Sequence, residues 1–209
     1  MLQRRLSVAS STFRAMERIT AEEYAGRRRR LIESVKKVAG QADRDVIVLL
    51  KGAKRPYIAP DVPGQYRQCS HFRYLTGVTV PNSYYLIHAP KGGRNLEPVL
   101  FMDRRSPYEE LWEGALPSES KLEDTAGFVD LLPTKKITEV IAKMISKDST
   151  CFFEAKEWDG SEVYSMRAQF GAIHGVKSHI DQLRLVKSIA EVQAMKDTCK
   201  LGSEVVSHS

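Results

Sequence analysis

At 209 residues the chain has room for one sizeable domain and short appendages. With 42% hydrophobic and 28% charged residues it has the material for a real core, which excludes a wholly disordered chain. The net charge of +6 points away from a phosphate-binding fold: residues 1–40 carry 10 of the 32 Lys and Arg but 4 of the 26 Asp and Glu, so the remainder is neutral.

No apolar run approaches the roughly 18 residues that a bilayer span requires, so no membrane span is expected. Cys69, Cys151 and Cys199 are odd in number and widely separated, with no C-x-x-C pair. They fit neither a disulfide framework nor a zinc ribbon, and the simplest reading is buried thiols in a reducing compartment.

The first segment, residues 1–18, is Arg- and Ser-rich: Arg4, Arg5, Arg14 and Arg18 alternate with Ser7, Ser10, Ser11 and Thr12, and no acid precedes Glu17. That is the composition of a mitochondrial presequence, a cytosolic disordered extension being the alternative. These residues are set aside from the fold.

Thr20 and Glu23 have capping-box spacing, predicting a helix over about 21–39 that Gly40 can close. Tyr24, Leu31, Val35 and Val38 line one side, which places Arg27 to Arg30 mostly on the solvated flank. The run Asp45 to Lys51 reads as a buried strand, followed by a Pro-rich loop from Lys54 to Pro63.

Strands around 83–89 and 97–103 flank Pro90 to Asn95, whose glycines suit a hairpin loop, predicting an antiparallel pair. Ser106-Pro107-Tyr108-Glu109 combines an N-cap, a proline at the first helical position and a capping glutamate. A short helix carrying Glu110, Leu111 and Trp112 should follow and end at Gly114.

Ile137, Val140, Ile141, Met144 and Ile145 keep helical period after Thr134, and Thr150 to Glu154 reads as a second buried strand. Ser188 and Glu191 form another capping box, opening a terminal helix with Val192, Met195, Cys199 and Val206 on one side. Alternating helices and strands imply an α/β layered structure.

No intrinsic catalytic site is legible. His71, His88, His174, His179 and His208 offer no H-E-x-x-H motif and no i, i+4 pair, and no G-x-S-x-G occurs. Neither a catalytic residue nor a metal ligand is assigned in this chain. Arg27 to Arg30 form one charged helix face, too little for a nucleic-acid partner.

Asp61-Val62-Pro63-Gly64-Gln65-Tyr66-Arg67-Gln68 and Phe72-Arg73-Tyr74-Leu75-Thr76-Gly77 resemble the signature of the aminopeptidase P (Xaa-Pro aminopeptidase) N-terminal domain. Leu111-Trp112-Glu113-Gly114 is similar to that family's ELW-x-G segment. Leu183-Arg184-Leu185-Val186-Lys187-Ser188 with Glu191 resembles its entry into a second domain. The resemblance covers about 19–209 and is closest in character to mitochondrial members. The chain departs from the pattern at His71, where an acid is usual, at Val80 before Pro81, and between about 167 and 183, which looks short.

The resemblance implies a mixed β-sheet flanked by helices over 19–183, with 184–209 leading toward a pita-bread catalytic domain. That domain would use two Mn²⁺ ions to remove an N-terminal residue preceding proline, its ligands lying beyond this chain. It also implies a homo-oligomer, with Trp112 reaching a neighbouring subunit's pocket and Asp61 near the substrate's amino end. From the residues alone, Trp112 can equally be an aromatic packed on its own domain, and Asp61 a turn-capping residue. The other functional class is a stand-alone, non-catalytic interaction module that pairs with full-length family enzymes.

Overall fold

The computed structural model describes residues 19–38, 44–92, 96–127, 130–158 and 160–207. Ala21–Leu183 forms one compact unit, and the segment from Arg184 groups separately. The presequence assigned to residues 1–18, together with Gly40, Gly93 and His208, lies outside the described residues.

Helix α1 (Ala21–Lys36) leads into strand β1 (Asp45–Lys51), then a two-stranded hairpin of β2 (Tyr57–Ala59) and β3 (Val62–Pro63), and helix α2 (Ser70–Thr76). Strands β4 (Tyr84–Ala89) and β5 (Glu97–Phe101) precede helices α3 (Pro107–Glu113) and α4 (Glu119–Ala126). After β6 (Asp130–Leu132), a 3-10 turn at Thr134–Lys136 runs into α5 (Ile137–Met144), followed by β7 (Ser149–Phe152). Short helices α6 (Ala155–Trp158) and α7 (Glu162–Ser165) and a 3-10 turn at Met166–Gln169 lead to β8 (Ala172–His174) and α8 (Lys177–Leu185).

The six-stranded sheet has the order β6-β5-β4-β1-β7-β8. β4 is antiparallel to both its neighbours, pairing Val46 with Ala89 on one side and Tyr84 with Phe101 on the other. β1 with β7, β7 with β8, and β5 with β6 are parallel. The sheet is therefore mixed through one reversed strand.

Both faces of the sheet are covered, because successive side chains along a strand point to opposite sides. Val46, Val48 and Leu50 of β1 join Tyr85 and Ile87 of β4 beneath α1 and α2, which contribute Leu31, Val35, Phe72 and Leu75. The alternate residues Ile47 and Leu49 join Leu86, Phe101 and Cys151 on the other face, against Ile137, Ile141, Trp158 and Phe170. This explains why β1 reads as an unbroken apolar run: each of its central residues belongs to one of two cores.

The arginine run corrects the expectation of a solvated flank. Arg27 and Arg28 are 1% and 3% exposed, whereas Arg29 and Arg30 face solvent. Arg27 donates to the Tyr74 carbonyl at 2.9 Å, ion-pairs with Glu23, and lies over the rings of Tyr24 and Tyr74. Arg28 donates to the Leu75 carbonyl at 3.2 Å and the Gly127 carbonyl at 3.3 Å. Burial pulls its pKa below the ordinary arginine value. The acceptors are carbonyls at helix ends far away in sequence, which local composition does not reveal.

Gly77 closes α2 with φ 69°, its N–H returning to the Arg73 carbonyl, and a Cβ there would sit 2.7 Å from the Tyr24 ring. His71 forms a 2.8 Å pair with Asp181 of α8, and Val80 is buried in the core.

The helix of the separate segment, α9 (Ile189–Ser207), opens with the expected capping box: Ser188 N–H donates to Glu191 at 2.9 Å and Glu191 N–H to the Ser188 hydroxyl at 3.1 Å. Its apolar side chains Ile189, Met195 and Val206 are exposed. Cys199 is exposed and Cys69 half-buried, so the expectation of three buried thiols holds only for Cys151, whose pKa burial raises well above the ordinary thiol value.

Two outcomes test this packing. Arg28→Ala should lower the unfolding free energy by about 3 kcal/mol in a denaturant titration, because two carbonyls lose a buried charged donor, whereas Arg30→Ala should change it by less than about 0.5 kcal/mol. Native-state alkylation followed by mass spectrometry should label Cys199 first and Cys151 only on unfolding.

Candidate functional site

The two residues singled out by resemblance lie on neighbouring surface elements. Trp112 is on α3 and is 73% exposed, beside Tyr108 at 72% and Leu111 at 77%. The Tyr108 and Trp112 rings meet edge to face, with centroids 6.4 Å apart. Three large apolar side chains presented together by one short helix form an apolar surface patch that no described residue of Ala21–Leu183 covers.

A helix of seven residues does not hold its shape alone in water, so α3 depends on its ends. At the start, Ser106 and Glu109 form a reciprocal capping box around Pro107. The Ser106 backbone N–H, and then its hydroxyl, hold the Glu109 carboxyl below its ordinary pKa. At the finish, Gly114 takes φ 77°, and Arg105 donates to the carbonyls of Glu113 at 3.0 Å and Gly114 at 2.6 Å. Both termini are therefore satisfied by side chains from the preceding loop and the first turn.

Glu113, the last residue of α3, gathers three other segments. Its Oε2 accepts from Arg55 Nη1 at 2.5 Å and lies 2.8 Å from Arg105 Nη2, while its Oε1 accepts from the Tyr57 hydroxyl at 3.3 Å. Arg55 follows β1, Tyr57 belongs to β2, and Arg105 precedes α3. The carboxylate thus ties the base of the β2–β3 hairpin to the helix carrying Trp112.

Asp61 occupies the turn between β2 and β3 and is exposed, and among the described residues its side chain makes no hydrogen bond or ion pair. Tyr57 pairs with Pro63 at the hairpin's base, so Asp61 sits at the opposite end of the hairpin from the Glu113 contact. Trp112 and Asp61 are linked through one hairpin rather than joined in one constellation.

A cleft of about 430 Å³ opens beside this junction, lined by Lys54, Arg55, Asn82, Arg105, Glu109 and Glu113 among others. A smaller one of about 260 Å³ adjoins it along Arg55, Tyr66, Pro81 and Leu116. Both lie by the loops that leave the carboxyl ends of β1 and β5. Burial pushes the Tyr66 phenol up to about 12.

Among the described residues no group of three or more His, Cys, Asp and Glu can hold a metal ion. His71 pairs with Asp181, His88 with Glu97, and His179 with Ser34, while His174 stacks on Phe152. Each of these four histidines is thus engaged by a neighbour within the domain. No helix of the described residues is long and apolar enough to cross a membrane.

Comparison with known proteins is consistent along the chain. The family model "Aminopeptidase P, N-terminal domain" matches residues 24–152. Human Xaa-Pro aminopeptidase 3 is 26% identical over 194 residues, covering 87% of this chain and 38% of the relative. The Arabidopsis thaliana intermediate cleaving peptidase 55, described as mitochondrial, is 23% identical over 190 residues, covering 89% of this chain and 36% of its own. Among solved structures, an Asp260Ala form of Escherichia coli aminopeptidase P superposes with a TM-score of 0.69 at 20% identity, covering 84% of this chain and 41% of that one. Proline aminopeptidase P II from Yersinia pestis gives 0.65 at 20% identity, covering 83% and 41%. The chain therefore spans well under half the length of the curated relatives it matches. The matched span, the order of the motifs and the mixed, helix-flanked sheet agree: this chain belongs to the aminopeptidase P family of peptidases, as its N-terminal domain.

Proposed function

We propose that this chain is the substrate-facing N-terminal domain of a mitochondrial Xaa-Pro aminopeptidase that assembles as a homo-oligomer. In this reading peptide hydrolysis belongs to a two-manganese catalytic domain outside the sequence. The domain's own contribution is to hold α3 so that Trp112 closes a proline-sized pocket on a partner subunit. The observation that carries this is the exposure of Trp112, 73%, on a helix whose two ends are both anchored. An indole left in water on a rigid support gains its apolar contact only when a second surface arrives.

The chemistry of the substrate fits the same surface. A pyrrolidine ring offers a compact apolar face with no backbone N–H, and an indole can exclude water from it without needing a hydrogen bond. Asp61, exposed and with no side-chain partner among the described residues, carries a carboxylate suited to a protonated amino terminus. The basic composition of residues 1–18 and the mitochondrial description of the Arabidopsis relative support the compartment.

Hydrolysis of an Xaa-Pro-Xaa tripeptide with Mn²⁺ tests the reading. The 209-residue chain alone should be silent. In the peptidase polypeptide carrying this domain, Trp112→Ala should lower kcat/KM by about tenfold while leaving the unfolding midpoint unchanged. Hydrolysis by the chain alone, or full activity in the Trp112→Ala enzyme, would overturn it. Sedimentation of the polypeptide should show a single oligomer larger than the monomer.

A further inference from the structure

We infer that Glu113 is a positioning residue: its carboxylate sets the orientation of Trp112 by clamping α3 to the β2–β3 hairpin, so that helix and hairpin present one surface. The inference rests on the reading of Trp112 as a pocket wall, and adds the residue that aims it.

The geometry is specific. One carboxylate oxygen serves two guanidinium groups, Arg55 at 2.5 Å and Arg105 at 2.8 Å, and the other serves the Tyr57 hydroxyl at 3.3 Å. All three of these charged side chains are mostly buried, so solvent screens the pairs less than it screens rim pairs such as Lys143 with Glu139. Each arginine reaches the acid from a different stretch of chain. Arg55 leaves β1, and Arg105 leaves β5, and those two strands run in the same direction on either side of β4. The clamp therefore bridges the carboxyl ends of β1 and β5 across β4, and Trp112 is the residue immediately before Glu113.

Charge counting separates this clamp from an ordinary surface pair. Two guanidinium groups ion-pair with the one Glu113 carboxylate, so removing its charge leaves Arg55 and Arg105 close together and repelling each other, with Glu109 the remaining carboxylate near Arg105. Arg105 also caps the Glu113 and Gly114 carbonyls, so its displacement frees the end of α3. A neutral isostere exposes the difference: Glu113→Gln keeps an acceptor oxygen and the side chain's volume but removes the charge that holds the two guanidiniums together. The helix start, with its own capping box at Ser106, is left intact. The expected result is a hinge at the C-terminal end of α3 with the N-terminal end still fixed, which swings Trp112 more than it swings Tyr108.

The experiment has a spectroscopic and a kinetic arm. The chain contains two tryptophans, Trp112 and Trp158, the second buried in the core. Fluorotryptophan labelling gives two fluorine resonances, assigned with Trp112→Phe. Glu113→Gln should shift and narrow the Trp112 resonance while leaving the Trp158 resonance and the unfolding midpoint in place. Glu113→Asp, which keeps the charge, should restore part of the original line. An unchanged Trp112 resonance would overturn the inference, and so would equal changes at both resonances with a lowered midpoint, since that marks a general stabiliser.

In the peptidase polypeptide carrying this domain, Glu113→Gln should lower kcat/KM by about threefold alone and have no further effect on a Trp112→Ala background. Additive losses would overturn it. If Trp112→Ala itself costs nothing, the pocket reading falls, and the clamp is judged on the fluorine spectrum alone.

Discussion

The packing of the helices on the sheet turns on the two buried arginines of α1. A helix end leaves its last carbonyls without partners, and when that end is buried the deficit is paid in stability unless a donor reaches it. α2 ends against α1, where Arg27 and Arg28 reach its Tyr74 and Leu75 carbonyls. Arg28 extends its second nitrogen to Gly127, at the close of α4. One planar fork thus satisfies the ends of two helices at once, which a lysine ammonium at that depth cannot reproduce in the same geometry. Leu31, one turn after the arginines, and Val35, two turns after them, sit in the core beneath the same helix.

Some of this was legible in the residues. The run from Val46 to Leu50 is too short and too β-branched for a helix and too apolar for a solvated strand, so its burial as a strand follows. The Ser106 and Ser188 capping boxes each marked a helix start correctly, because the signal is local and stereochemical. The edge strands β6 and β8 were not legible: each has three residues, which is less than two periods of strand alternation. The burial of Arg27 and Arg28 was hidden for a different reason. Their partners lie across the fold, and a run of four arginines has the same composition whether it faces water or carbonyls.

The candidate site divides the same way. Trp112 and Asp61 enter by likeness to a family's motifs, and nothing in composition separates Trp112 from a core aromatic such as Trp158. The residues that hold Trp112 in place had no local signal at all. Arg55, Tyr57 and Arg105 are unremarkable loop and strand residues until the fold delivers them to Glu113. The smallest legible unit there was α3 itself, and its dependence on side chains at both ends explains why a seven-residue helix can serve as a support.

The single reversed strand in the sheet also sets the order in which the chain can assemble. β4 pairs with β1 on one side, across the β2–β3 hairpin and α2, and with β5 on the other through a short connection, so these three strands can close before β7 is made. The parallel partner of β1 is β7, and Asp45 must wait for Ser149, with four helices and five strands of chain intervening. Loop-closure entropy makes that pairing slow relative to the antiparallel ones. Until it forms, one side of β1 is an open edge of Val46, Ile47 and Val48 with unpaired backbone groups, the kind of surface that recruits foreign strands. For a chain synthesised from its N-terminus, the hazard of misassembly is concentrated in the interval between the emergence of β5 and that of β7.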